Sequence, residues 1–112
     1  MKTIFEMIID GELPCDKVFE NEHVIAFKDI HPKAPIHILI VTKKPISNLQ
    51  SLPREEYFLL GEIAKVAQHL AEKLGVSKTG YRLLANVGPH AGQSVDHLHF
   101  HFLAGGPLVA MG

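Results

Sequence analysis

His97-Leu98-His99-Phe100-His101-Phe102-Leu103 alternates polar and apolar side chains without a break. Strict alternation marks a half-buried strand, because successive side chains point to opposite faces. His97, His99 and His101 then share one face, and Leu98, Phe100 and Phe102 share the other. The apolar face can bury against a core. The polar face carries three of the chain's eight histidines, a concentration that packing does not call for.

Working outward, Gly88-Pro89-His90-Ala91-Gly92-Gln93-Ser94 is the loop that leads into this strand. Its glycines allow backbone amides to point at an anion, and Gln93 and Ser94 add donors. Tyr81–Asn86 reads as a further strand. Pro53 to Leu74 reads as a long helix, with proline at the first helical position and Gly75 as the C-terminal cap. Leu59, Leu60, Ile63, Ala67, Leu70 and Leu74 recur at helical spacing along one face. Such a helix is roughly 33 Å long. Ile46–Leu52 is irregular or a single helical turn. Ile36–Thr42 is β-branched and almost wholly apolar, a strand covered on both faces, with His37 as its polar exception. Two prolines make Asp29–Pro35 a loop. Val18–Glu20 and His23–Lys28 read as short strands joined by a tight turn. Thr3–Ile9 reads as a short helix, with Thr3 and Glu6 at capping-box spacing, ended by the turn Gly11–Pro14. Strands do not alternate regularly with helices. The class is therefore α+β, with a mainly antiparallel five-stranded sheet, one long helix and one short one.

The chain of 112 residues supports one compact domain, spanning 1–112. A net charge of −1 provides no basic field for nucleic acid or an anionic membrane surface. Cys15 is the only cysteine, so no internal disulfide forms and a reducing compartment fits. The apolar run at the N-terminus is interrupted by Glu6 and ends at Asp10, unlike a signal peptide. No apolar run approaches the ~20 residues needed to cross a bilayer. These features lead us to expect a cytoplasmic protein.

Two chemistries compete for the histidine row. A metal site needs ring nitrogens about 2.1 Å from one ion. On a straight strand, His97 and His101 are roughly 13 Å apart, so all three cannot easily share an ion. A His99–His101 pair completed by His37 or Asp96 stays open. The alternative is nucleophilic and acid–base work at phosphorus. Neutral imidazole is a nucleophile near pH 7, and a second histidine, protonated, can neutralise a phosphoryl charge or deliver a proton to a leaving group.

The segment Gly92-Gln93-Ser94-Val95-Asp96-His97-Leu98-His99-Phe100-His101-Phe102-Leu103 closely resembles the signature of the histidine triad (HIT) family. Ala26–Ile30, Ala34–His37, Lys43–Ser47, Tyr81-Arg82 and Asn86 also fall where that family has similar residues, and the Hint branch is the most similar. The resemblance implies a purine nucleoside phosphoramidase that hydrolyses AMP-amine or GMP-amine substrates. In that picture His99 attacks the α-phosphorus and forms a nucleotidyl-histidine, which water then hydrolyses. His101 contacts the phosphate and helps the leaving group. Ser94 hydrogen-bonds the leaving-group side, and His97 and His37 orient or tune His99. Asn86, Gly92 and Gln93 line the phosphate region, and Asp29 holds the ribose hydroxyls. Phe5, Ile8, Leu13, Phe27 and Ile30 form the base pocket. The resemblance further implies a step without metal or cofactor, and a homodimer that joins two sheets near the long helix and the Tyr81–Asn86 strand. Thr3 and Glu6 stand where some relatives carry a CxxC for structural zinc, so no zinc is expected. Gly105-Gly106 runs into Pro107 where many Hint-branch tails have Gly-Gly-Arg, and the chain has no tryptophan. A Fhit-like dinucleoside polyphosphate hydrolase and a non-catalytic nucleotide-binding or regulatory protein are the alternatives.

Overall fold

The computed structural model describes residues 1–109. The tail expected after Pro107 is therefore followed to Val109, and residues 110–112 lie outside the described residues. Helix α1 (Ile4–Ile9) is followed by strands β1 (Lys17–Glu20), β2 (Val24–Lys28) and β3 (Ile36–Thr42), helix α2 (Phe58–Lys73), and strands β4 (Arg82–Leu84) and β5 (His99–Ala104). The five strands form one sheet in the order β1-β2-β3-β5-β4. Every neighbouring pair is antiparallel.

Register decides which side chains share a face. Leu39 lies opposite His101, Val41 opposite His99, and His37 opposite Leu103. The face that carries His37, His99 and His101 thus also carries Ile25, Phe27, Leu39 and Val41, over which Phe5 of α1 packs. The opposite face presents Val24, Ala26, Ile38, Ile40, Phe102 and Ala104 to Ile63, Val66, Ala67, Leu70 and Ala71 of α2. β3 is buried on both faces, as its unbroken apolar run requires. The six residues of α1 are too few to hold a helix in water unaided. Burial of Phe5 and a closed capping box hold it: Thr3 Oγ1 accepts from the Glu6 amide, and Glu6 Oε1 accepts from the Thr3 amide.

Three boundaries differ from the sequence pattern. α2 begins at Phe58, behind a tighter 3-10 turn over Arg54–Glu56, so it is about 24 Å long. Leu52 and Leu59 are both buried in a small cluster with Ile46 and Leu98, which fixes the angle of entry. Val66 and Ala71 complete the buried stripe, while Leu74 is exposed at the C-terminus, where Gly75 takes a φ of +73°. β4 keeps only Arg82–Leu84 of the expected Tyr81–Asn86. β5 starts at His99, so His97 is not in the strand. The Leu98 amide donates to Ile46 O at 2.6 Å, and the chain bends there instead of continuing the ladder.

Candidate active site

The bend turns His97 inward. Its ring is 1% exposed, and Nε2 lies 2.6 Å from the Thr42 carbonyl oxygen. A carbonyl only accepts, so Nε2 carries the proton and Nδ1 is left without a partner. His97 lines neither of the two cavities that meet over His99 and His101. It acts on His99 through its main chain: His99 Nδ1 lies 2.6 Å from the His97 carbonyl oxygen and must donate to it. The proton of neutral His99 is thereby held on Nδ1, and the lone pair is left on Nε2. Phe5 stands edge-on to both rings, with centroids 5.0 Å from His99 and 6.1 Å from His97.

The ring of His37 reaches His101, the neighbour of His99, so the orienting or tuning of His99 expected of His37 would run through His101. His37 Nε2 is 2.9 Å from His101 Nδ1 and 3.5 Å from Asp29 Oδ2. Its Nδ1 accepts from the main-chain N–H of Lys33 at 3.0 Å. The ring centroids of His101 and His99 are 5.2 Å apart. Burial pushes the His37 and His97 imidazoles below the ordinary histidine range. Burial, with smaller contributions from His99 and His37, pushes His101 down to about 4. The bend splits three rings that a straight strand would place in one row into a buried member, His97, and two cavity-facing ones, His99 and His101.

Two cavities meet over these rings. One, of about 440 Å³, has apolar walls formed by Phe5, Ile8, Leu13, Phe27, Ile30 and Val95. The other, of about 430 Å³, is more polar, with Asn86, Gly92, Lys33 and His37 among its wall residues. Asp29, His31, Ser94, His99 and His101 line both. Each residue expected in a base pocket is therefore on the apolar side, and Asp29 and Ser94 stand at the junction. Ile30 is 86% exposed at the rim, an apolar side chain placed where a ligand can cover it. Ile4, Cys15 and His31 also line the apolar cavity and were not singled out from sequence. Nothing in their local pattern marks them, because α1 and the two loops meet only in the fold. Cys15 is free and exposed.

The glycine loop differs from a cradle of free amides. Gly88 and Gly92 both take a φ of +82° around a 3-10 turn at Pro89–Ala91. The amides of Ala91 and Gln93 donate to Gly88 O, and that of Gly92 donates to Pro89 O. Gln93 lines neither of these two cavities. Its Oε1 accepts from the Gly88 amide at 2.9 Å, and its Nε2 donates to Ser47 O at 2.8 Å and Val95 O at 3.0 Å. Gln93 closes the loop and sets Ser94 at the junction.

Among the described residues, Asp29, His37 and His101 each offer a possible metal-donor atom, all within 4.8 Å of one another. This trio differs from the His99–His101 pairing considered from sequence. Thr3 and Glu6, where some relatives carry cysteines, are occupied with each other in the capping box.

Residues 10–108 match the family profile described as "HIT domain". The chain belongs to the HIT family. Among HIT relatives, a HIT-like protein of Chlamydia pneumoniae is 50% identical over 109 residues, covering 97% of this chain and 98% of that protein. The purine nucleoside phosphoramidase of Escherichia coli K12 is 43% identical over 110 residues, covering 98% and 92%. A histidine triad protein from Clostridium difficile superposes with a TM-score of 0.94 at 41% identity, covering 97% and 95% of the two chains. A HIT family hydrolase from Legionella pneumophila gives 0.93 at 40% identity, covering 96% of each. The α+β HIT fold is thus present, with its five antiparallel strands and one long helix. Among the described residues no helix is long and apolar enough to cross a membrane.

Proposed function

We propose that this HIT protein is a purine nucleoside phosphoramidase of the Hint branch, hydrolysing AMP-amine or GMP-amine substrates through a nucleotidyl-histidine at His99. One observation carries the reading. The Nδ1–H of His99 is tied to the His97 carbonyl, so its nucleophilic Nε2 is free on a ring that lines both the apolar and the polar cavity. A nucleotide divides in the same way. Its flat base suits the apolar walls, its ribose hydroxyls suit Asp29, and its phosphate lies over His99 and His101. The phosphoramidase from Escherichia coli, similar over nearly the whole chain, supports the same class.

In the first step the lone pair of His99 Nε2 forms a bond to phosphorus as the P–N bond breaks, and the departing nitrogen takes a proton from solvent water and leaves as an amine. The Ser94 hydroxyl and His101 Nε2–H stand beside the departing group as hydrogen-bond donors. In the second step water attacks phosphorus and gives a proton back to solvent, the bond to His99 Nε2 breaks, and AMP is released.

β4 is the end strand of the sheet. Its outer main-chain groups, with Tyr81 stacked on Phe102 at 4.7 Å, provide the edge through which two sheets join in the proposed homodimer. Light scattering on the purified chain checks this: a monomer at assay concentration removes it.

The deciding experiment is an acid quench with labelled adenosine phosphoramidate in the presence of EDTA. Label trapped on His99 and AMP released are expected. His99→Ala should lower the rate by at least about 10³-fold. Faster turnover of a diadenosine polyphosphate than of the phosphoramidate would move the protein to the Fhit-like class. Tight AMP binding with no turnover would make it a binding protein.

A further inference from the structure

The proposed hydrolysis leaves one contact unused, the main-chain N–H of Lys33 donating to His37 Nδ1 at 3.0 Å. A ring nitrogen that accepts a hydrogen bond carries no proton, so the proton of neutral His37 is on Nε2. That nitrogen lies 2.9 Å from His101 Nδ1. His101 Nδ1 must then accept, and the proton of neutral His101 is on its Nε2. The opposite polarity would leave both nitrogens of His37 bare, an imidazolate with no place near neutral pH. A third proton also has nowhere to go. On His37 Nδ1 it would oppose the Lys33 N–H, and on His101 Nδ1 it would oppose His37 Nε2–H.

We infer that the Lys33 main-chain N–H is a positioning group of the site: it fixes the tautomers of His37 and His101 and keeps the pair uncharged, with one outward donor at His101 Nε2. The inference rests on the hydrolytic reading for its use, and on geometry for its existence. The charges around the pair are mixed. Asp29 on the loop before β3 favours a proton, while Lys33 on that loop and His99 on β5 oppose one, and burial opposes it most. His31 lines the same cavity, and β4 places Leu84 opposite His101. The consequence for catalysis is specific. The pair supplies a neutral N–H to the phosphoryl or leaving group, not an imidazolium.

The same lock bears on cations. Measured by distance alone, Asp29, His37 and His101 resemble a site for a divalent ion. A metal-bound histidine normally donates from its other ring nitrogen. Here that nitrogen is already an acceptor. An ion on His37 Nε2 would drive the proton onto Nδ1, against the Lys33 N–H. The lock turns a donor set of suitable spacing into one that disfavours metal.

Long-range ¹H–¹⁵N correlation spectra of the full chain, labelled with ¹⁵N-histidine, read each tautomer directly. His37 and His101 are expected as Nε2–H forms that do not change between about pH 8 and about pH 5. Lys33→Ala removes the side-chain charge but keeps the main-chain N–H, and should leave both rings in the Nε2–H tautomer. Lys33→Pro removes that main-chain N–H. That variant should populate Nδ1–H at His37, raise the pH at which the pair titrates, and tighten Zn²⁺ binding at least about tenfold by calorimetry. Three results would overturn the inference: an Nδ1–H His37 in the unaltered protein, titration of either ring near ~6.5 there, or a folded Lys33→Pro protein with unaltered spectra and Zn²⁺ affinity. If Lys33→Pro does not fold, the spectra of the unaltered chain decide alone. They are recorded without substrate, so absence of AMP release, which defeats the hydrolase reading, is a separate result.

Discussion

Acid should destabilise this protein through His101, and the size of the effect follows from its surroundings. Burial holds the folded-state His101 pKa at about 4. In the unfolded chain a histidine titrates near ~6.5. Between those values the unfolded state binds the extra proton and the folded state does not, so stability falls as pH falls. From about pH 7.5 to about pH 5, a histidine shifted in this way contributes a loss of about 2 kcal/mol. His101 is only partly buried, and solvent screening brings this to about 1–2 kcal/mol. His37 and His97 are lowered as well and add in the same direction. The window lies above the range where most carboxylates protonate, so the change reports histidines. The assay is urea unfolding at the two pH values, for the unaltered chain and for His101→Asn, which keeps a polar amide but does not titrate. The pH-dependent loss should be about 1–2 kcal/mol smaller in His101→Asn. Equal losses in the two proteins would show that the buried ring takes up a proton without penalty and would refute the reasoning.

Phe5→Ala removes the ring that packs edge-on against Phe27 and His99. It should lower stability by about 2–4 kcal/mol, less than a fully enclosed site because a cavity already opens beside it, and kcat/KM should fall about tenfold or more. Unfolding and turnover measured on one preparation check both, and unchanged turnover would mean that Phe5 does not hold His99. Gln93→Ala should lower kcat/KM about tenfold with a stability loss of about 1–2 kcal/mol, because three loop hydrogen bonds are lost together. A rise in KM alone would instead place Gln93 in contact with substrate. Gly105 has a φ of +95°, and a Cβ there would lie 3.0 Å from Pro35 Cβ. Gly105→Ala should therefore cost about 1–3 kcal/mol in chemical denaturation and disturb the loop that carries Lys33. A neutral result would mean that the Pro35 turn yields.

Local patterns decided the structure wherever they sufficed to fix a conformation. Thr3 and Glu6 closed the capping box that their spacing announced. Ile36–Thr42 is the strand buried on both faces that an unbroken apolar run requires. The antiparallel register then aligned His37, His99 and His101 on one face. Less was legible where non-local contacts overrode the pattern. Alternation through residues 97–103 continues past the point where the Leu98 amide finds Ile46, so the sequence could not show His97 leaving the strand. Pro53 looks like a helix start, but the cluster around Leu52 and Leu59 sets a tighter turn first. Glycine spacing could not reveal that Gln93 and the loop's own carbonyls take up the amides of Gly88, Ala91, Gly92 and Gln93.

The sequence by itself determined the element types, the two-faced sheet and the residues available for chemistry, because these depend on side-chain period, capping and turn geometry along a few neighbouring positions. Only the tertiary structure decided which ring touches which. His37 and His101 are 64 positions apart, and the Thr42 carbonyl that holds His97 is 55 positions away from it. Proton placement on an imidazole depends on the partner at each nitrogen. Those partners come from separate strands and loops, so the chemistry of the site is fixed by folding.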